Sequence, residues 1–202
     1  MTKRLIITEK PSVAQDIASA LGGFDLGEEF HESGDFVVTW AVGHLVALAE
    51  PKVYNPDWGR WVIKSLPIVP EGQYQLEPLR GQSTRLNLIR KLGRRKDVSG
   101  LINACDAGRE GQLIFDRIVE YTKLTEMPQD RLWLQSMTKD AILKGFQTLN
   151  PEKVPMGLSH AAWLRSVGDW LVGINATRAL TIRLGGSGSW SAGRVQTPPL
   201  NL

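Results

Sequence analysis

Leu101-Ile102-Asn103-Ala104-Cys105-Asp106-Ala107-Gly108-Arg109-Glu110-Gly111 is the stretch on which the reading of the fold turns. Its first five residues are mostly apolar and read as a buried strand, and the next six read as a turn that carries two acids and two glycines. From Gln112 to Tyr121 the spacing predicts a helix with Leu113, Ile114, Ile118 and Val119 on one side. The same order of strand, acid and helix opens the chain. Leu5-Ile6-Ile7-Thr8 is short, apolar and β-branched, and Glu9 follows it. Pro11 suits the first position of a helix. Val13, Ala14, Ile17, Ala18 and Leu21 continue that helix until Gly22-Gly23 stops it.

Working outward, Phe36–Trp40 and Leu132-Trp133-Leu134 read as further strands. Ser83–Leu92 reads as a helix with Leu86, Leu88, Ile89 and Leu92 inward, and Thr138–Leu149 as another with Thr138 as its N-cap. Strands alternating with helices build a mostly parallel sheet covered by helices, an α/β fold. Residues 50–82 hold five prolines and little periodicity, so they read as a long excursion with short elements. After Pro155 the texture changes. Ser159–Ala179 is apolar and helical with no strand before it, and Gly185–Ser191 reads as a mobile Gly/Ser-rich loop. A domain boundary is expected near Pro151–Pro155, giving domains 1–155 and 156–202. The second is expected to be too small to fold alone, and the ending at Pro198-Pro199-Leu200-Asn201-Leu202 to be a cut rather than a natural stop.

Composition narrows the class. The chain has 202 residues, 42% hydrophobic and 22% charged, and no apolar run approaches the ~20 residues of a membrane span. Glu9 interrupts the first apolar run too early for a signal peptide. Cys105 is the single cysteine, which excludes an internal disulfide and a cysteine zinc cluster. These features suggest a cytoplasmic protein that does not engage a membrane. The net charge of +3 is uneven: the first 155 residues carry 20 basic and 20 acidic residues, while the last 47 carry four arginines (Arg165, Arg178, Arg183, Arg194) against Asp169 alone. A local arginine surplus points to phosphate, or is simply a solvated basic face.

The chemistry lies in two strand ends. Glu9 follows one strand, and Asp106 with Glu110 follows another. Ligands of open parallel sheets bind at the carboxyl ends of strands. If the two strands are neighbours, three acids converge in one cleft. Acids without cysteine or histidine suit a hard cation, Mg²⁺ first, which takes oxygen ligands. Taken singly, Glu9 is equally a helix-terminus acid favoured by the dipole, and Asp106 an N-cap. The turn is neither a phosphate-binding P-loop nor a dinucleotide fingerprint, since both glycine patterns are absent.

Glu9-Lys10-Pro11-Ser12 and Asp106-Ala107-Gly108-Arg109-Glu110-Gly111 resemble the two signatures of the Toprim domain of type IA DNA topoisomerases, and the D-A-G-R-E-G form resembles the bacterial topoisomerase III branch. The family's second signature is usually D-x-D-x-E-G. Gly108 stands where the second Asp is expected, which puts a two-metal arrangement in doubt. Val37-Val38-Thr39-Trp40-Ala41-Val42-Gly43-His44-Leu45 and the run from Trp61 through Leu66-Pro67-Ile68-Val69-Pro70 resemble the Toprim insert of that branch. Arg165-x-x-x-Asp169-Trp170-Leu171-Val172-Gly173-Ile174-Asn175-Ala176-Thr177-Arg178-Ala179 resembles the start of the family's DNA-binding gate domain, and Ser191-Ala192-Gly193-Arg194-Val195-Gln196-Thr197-Pro198 another of its blocks. The motifs occur in family order along nearly the whole chain.

The resemblance implies a Toprim, Rossmann-like, mostly parallel sheet with helices on both faces, followed by the incomplete start of a mainly helical gate domain. It implies an isomerase that breaks and rejoins one DNA strand through a 5′-phosphotyrosyl link, without ATP or another nucleotide cofactor. Glu9 and Lys10 are the expected catalytic residues, Glu9 as proton donor to the leaving 3′-oxygen and Lys10 as the charge on the phosphate. Glu9, Asp106 and Glu110 are the expected Mg²⁺ ligands. Trp61, Arg165, Gly173, Arg178, Ser191, Ala192, Gly193, Arg194, Val195 and Gln196 are the expected contacts to DNA, preferentially single-stranded. Arginines there reach phosphate, and small residues let the strand approach. Trp61 is equally a packing residue. His44 is a phosphate contact or a loop-carbonyl donor, and Arg109 a partner of the acids or a phosphate contact. A monomer is expected. Tyr54, Tyr74 and Tyr121 lack the family's Y-P-R context, so the catalytic tyrosine is expected beyond these residues and this chain alone is expected to be inactive. Two alternatives stay open: a non-catalytic DNA-binding fragment with a Toprim domain, and another Toprim enzyme such as a primase or nuclease.

Overall fold

The computed structural model describes residues 2–149, 156–186, 188–193 and 197. The chain divides into two compact units, residues 1–47 with 77–162 and residues 48–76 with 163–202.

The first unit is built on a six-stranded sheet of order β2-β3-β4-β1-β7-β8. Its strands are Lys3–Thr8 (β1), Asp25–Leu26 (β2), Phe30–Glu32 (β3), Phe36–Trp40 (β4), Val98–Ala104 (β7) and Gln129–Arg131 (β8). β1 lies between β4 and β7 and runs parallel to both, and β8 runs parallel to β7. Only β2 and β3, at one edge, pair antiparallel. Val46–Leu48 (β5) and Leu76–Pro78 (β6) form a separate two-stranded sheet. The helices are Pro11–Leu21 (α1), Pro51–Tyr54 (α2), Ser83–Gly93 (α3), Arg109–Thr122 (α4), Lys139–Gln147 (α5) and Met156–Leu184 (α6).

The register explains the layers. Ile6 pairs with Val38 and Ile102, and these three share one buried cluster with Ala14 and Ile17 of α1 and Ile142 of α5. Leu5, Val37 and Leu101, one residue earlier on each strand, turn to the opposite face because strand side chains alternate. There α3 and α4 supply Leu86, Ile89, Phe115 and Ile118, each no more than 2% exposed. Each such side chain contributes about 1.5–3 kcal/mol on burial, so both helical layers hold the sheet firmly.

Two boundaries and one inward position differ from the sequence reading. β8 is Gln129–Arg131, not Leu132–Leu134. The apolar triplet marks packing, with Leu132 buried in the α1–α5 cluster, whereas backbone pairing precedes it. α4 begins at Arg109 rather than Gln112: the Gln112 amide donates to the Gly108 carbonyl, so Glu110 and Gly111 lie inside the helix and not in the turn. Glu110 there sits at the positive end of the helix dipole. Leu88, expected inward, is half-buried, while Leu86, Ile89 and Leu92 form the inner stripe.

In the second unit Asn175 of α6 brackets Ile68. Its Oδ1 accepts from the Ile68 amide at 2.7 Å and its Nδ2 donates to the Ile68 carbonyl at 2.9 Å. Trp163 and Trp170 both meet the Tyr74 ring edge-on, with centroids 6.4 and 5.8 Å away. Beyond the helix end, the Trp190 amide donates to Thr181 Oγ1 and its indole to the Gly185 carbonyl, both at 2.8 Å.

Candidate functional site

Because β1 and β7 are parallel neighbours with Thr8 opposite Ala104, Glu9 and Asp106 leave the sheet side by side at its carboxyl edge. The Lys10 ammonium lies between them. Its Nζ donates to Asp106 Oδ2 at 3.2 Å and stands 4.0 Å from Glu9 Oε1. The hydrogen bond to Asp106, and then the charges of Asp106 and Glu9, raise the Lys10 pKa and keep it a cation. Glu110 turns elsewhere: its Oε2 is 3.5 Å from Nε2 of His44. The structure therefore joins Glu9 and Asp106 on one lysine and pairs Glu110 with His44. Among the described residues, no three His, Cys, Asp or Glu side chains converge on one metal position. Arg109 is exposed on the first turn of α4, and no described acid forms an ion pair with it.

The backbone around these groups is held closely. The amides of Val42 and Gly43 both donate to the Glu9 carbonyl, at 2.9 and 3.2 Å. That contact needs left-handed backbone at both, φ 64° at Val42 and 80° at Gly43. For a β-branched residue this costs about 1–3 kcal/mol and marks a place where geometry is favoured over stability. It also delivers His44 to the edge. On the other side, α4 approaches the turn so closely that a Cβ on Gly111 would stand 2.1 Å from the Asp106 carbonyl oxygen. Only a glycine fits.

Sequence reasoning missed Arg131. It is 3% exposed, and its Nη1 donates to the Asn103 and Cys105 carbonyls at 3.0 and 2.8 Å, while its Nη2 donates to the Asp106 carbonyl at 2.7 Å. A lone arginine before an apolar triplet carries no periodic signal. A buried guanidinium at a strand edge is nonetheless costly enough to demand acceptors, and here they are the carbonyls leading into the acid turn.

The second unit holds a groove of about 480 Å³ whose walls include Trp61, Trp170, Gly173, Arg178, Ser191 and Ala192, together with the acids Glu50 and Asp169. The Arg178 guanidinium lies 5.2 Å over the Trp61 ring and its Nη1 donates to the Trp58 carbonyl, so it is buried at 7% exposure. Burial lowers the Arg178 pKa, against the charge of Glu50. Thr177 and Ala192 exchange hydrogen bonds through the threonine hydroxyl at 3.1 and 3.0 Å, which fixes the Ser191–Gly193 edge of the groove. Arg165 stands 3.8 Å from Asp169, one helical turn on. Arg194, Val195 and Gln196 lie outside the described residues.

Comparison with known proteins matches the Toprim domain family over residues 4–137. The chain belongs to the Toprim family. Residues 153–202 match a second family, described as DNA topoisomerase. All 202 residues align at 42% identity with DNA topoisomerase 3 of Bacillus subtilis, and at 42% with that of Bacillus cereus. The chain spans 27% of the length of each. Among solved structures, full-length topoisomerase I of Thermotoga maritima matches with a TM-score of 0.60 at 18% identity, over 88% of this chain and 26% of that one, a likeness of fold. The mostly parallel Toprim sheet and the helical segment after it agree with the fold read from the sequence.

Proposed function

We propose that the chain is the N-terminal part of a type IA DNA topoisomerase of the topoisomerase III kind, with residues 1–155 as its Toprim domain and 156–202 as the start of its gate domain. The observation that carries the reading is the parallel pairing of β1 and β7, which sets Glu9 and Asp106 on one lysine at the sheet's carboxyl edge. The likeness to topoisomerase 3 over every residue supports it. The activity is the breaking, passage and rejoining of a single DNA strand, cytoplasmic and independent of nucleotide, by a monomer.

The donor chemistry suits Mg²⁺: it is all carboxylate, Asp106 and Glu110 reach solvent, and Glu110 would turn from His44 to join the other two. Asp106 and Glu110, with Glu9, would hold the ion, which supplies charge to position and neutralise a phosphodiester when bound. The chain's own groups do the rest. Glu9, the least exposed of the three at 16%, moves a proton at the 3′-oxygen. Lys10, half exposed and held by Asp106 and Glu9, swings to the phosphate. The groove of the second unit takes single-stranded DNA, with Trp61 offering its 46% exposed ring to a base. The nucleophile belongs to a part of the longer relatives that this chain does not span. Tyr121 sits at the far end of α4, roughly 16 Å along the axis from Glu110 at 1.5 Å per residue.

Calorimetric titration with Mg²⁺ and anisotropy with a labelled single strand test the reading. Mg²⁺ binding abolished by Asp106→Ala and salt-sensitive binding of the oligonucleotide are expected. The 202-residue polypeptide should leave supercoiled plasmid unrelaxed. A chain that binds neither partner overturns the proposal, as does relaxation by this polypeptide that is lost in Tyr121→Phe.

A further inference from the structure

Asp116, on α4, is an acid the chemistry above does not use. Its carboxylate accepts from Gln112 Nε2 at 2.8 Å. Gln112 is 3% exposed, and its Oε1 accepts from Asn103 Nδ2 at 3.2 Å. Asn103 is 2% exposed, and its Oδ1 accepts from Arg131 Nη1 at 2.7 Å and from the Cys105 amide at 3.0 Å. The polarity of this chain is fixed at both ends. A guanidinium can only donate, so Asn103 turns its oxygen to Arg131 and its nitrogen to Gln112. Gln112 must then present its oxygen to Asn103 and its nitrogen to an acceptor, and Asp116 is that acceptor. A buried cation and its carboxylate are thus paired through two amides rather than directly. Arg131 Nε has no hydrogen-bond partner among the described residues, so its hydrogen bonds run through the Nη atoms, which also grip the carbonyls of Cys105 and Asp106.

We propose that Asp116, Gln112 and Asn103 form a positioning relay that orients Arg131, and through it the Asp106 turn. The sequence of contacts is directional, so a break at Asp116 propagates. With no acceptor, the Gln112 amide is free to rotate, Asn103 follows, and Arg131 loses the side-chain oxygen that sets its plane. Sheet and α4 meet in the relay, which ties the first turns of α4 to the strand end that carries Asp106. Its consequence for metal binding rests on the reading of Asp106 as a Mg²⁺ ligand; its geometry does not.

Asp116→Leu and Asp116→Asn separate the roles. Leucine removes the acceptor, whereas asparagine keeps an oxygen for Gln112. Two measurements on the 202-residue chain read the result: Mg²⁺ affinity by calorimetry, and the amide NMR signals of Asp106, Ala107 and the side chains of Asn103 and Gln112. Asp116→Leu is expected to weaken Mg²⁺ binding about tenfold or more, the usual scale for a lost outer-shell partner. It should also shift the Asp106 amide and expose the two side-chain amides to exchange. Asp116→Asn should stay within about threefold of the parent by the same scale and keep those signals. An unmoved Asp106 amide in a folded Asp116→Leu protein overturns the relay, whatever the metal does. A parent that binds no Mg²⁺ sinks the metal reading instead, while the NMR comparison still decides the relay.

Discussion

Gly111 and Gly108 lie three residues apart around the same turn, and the structure sets opposite expectations for them. A Cβ on Gly111 would stand 2.1 Å from the Asp106 carbonyl oxygen, 2.7 Å from its nitrogen and 2.9 Å from its carbonyl carbon, where ordinary contact begins at 3.4 Å. All three are backbone atoms, so no side chain can swing aside. Either α4 lifts from the turn by roughly 1 Å or Asp106 is displaced, and forcing atoms into a packed site costs about 1–3 kcal/mol, more when backbone must move. Because the clash is wholly with backbone the upper part of that range, about 2–3 kcal/mol, applies, and alanine returns up to about 1 kcal/mol of helix propensity, which leaves a net loss of about 1–2 kcal/mol. Gly108 has extended backbone at φ 168° and nothing within 4 Å of its Cβ position. Gly108→Ala therefore costs nothing in the folded state and stiffens the unfolded chain, worth about 0.4–1 kcal/mol in its favour. At ~2–4 °C per kcal/mol for a chain of this size, Gly111→Ala should lower Tm by about 2–8 °C and Gly108→Ala leave it level or slightly higher. Differential scanning fluorimetry reads both. Because the clash is with Asp106 itself, Gly111→Ala should also weaken Mg²⁺ binding. A Gly111→Ala protein as stable as Gly108→Ala, with unchanged Mg²⁺ affinity, would refute the close-approach argument.

Other perturbations read other parts of the fold. Glu32 is held down to about 2 by its hydrogen bonds to Arg95, helped by Lys3, against its own burial. A depressed carboxyl stabilises above its unfolded pKa and loses that contribution as pH falls through the folded value. Glu32→Gln should therefore lower Tm at pH 7, with the gap to the parent closing between about pH 4.5 and 2; a gap that persists at pH 2 would mean the ion pairs are not its origin. Asn175→Leu strips partners from both the amide and the carbonyl of Ile68, each worth about 1–3 kcal/mol if left buried and unpaired, and urea unfolding should show a loss of that order. Less than about 0.5 kcal/mol would say that water replaces the asparagine. In single-strand binding, Arg165→Ala should flatten the dependence of log K on log salt by about 0.7, as one lost phosphate contact does. Arg178→Ala should weaken binding without changing the slope, because its guanidinium is spent on Trp58 and Trp61. A flattened slope in Arg178→Ala would make it a phosphate contact after all.

The alternation of strands and helices was readable because each buried strand is a short β-branched run and each covering helix repeats at 3.6 residues. The positions of Glu9 and Asp106 at strand ends followed from the same pattern. Their meeting did not. It depends on β1 and β7 being neighbours, and strand order is a tertiary fact that no local pattern encodes. Glu110 shows the limit of motif spacing. α4 starts three residues earlier than its apolar stripe suggests, and on the helix's first turn the carboxylate meets His44, a partner that no spacing in the motif names. The relay was invisible for a related reason. Asn103 and Gln112 look like polar interruptions of apolar segments, and nothing local says that each is the other's partner.

Gly111 carries this point one step further. As a sequence feature it reads like Gly108, a turn residue chosen for backbone freedom. Its backbone is ordinary helix, so freedom is not what it supplies. What it supplies is the absence of a side chain where α4 meets the Asp106 peptide, and that closeness lets Gln112, the next residue, reach Asn103. The glycine, the relay and the acid turn are therefore one construction: the small residue sets the distance, the two amides set the orientation, and Arg131 holds the carbonyls from which the Asp106 side chain projects. A side chain at Gly111 acts on all three at once. Its effect on Asp106 should accordingly exceed that of any single hydrogen bond removed from the relay, and the effects of Gly111→Ala and Asp116→Leu should combine less than additively, since both release the same turn.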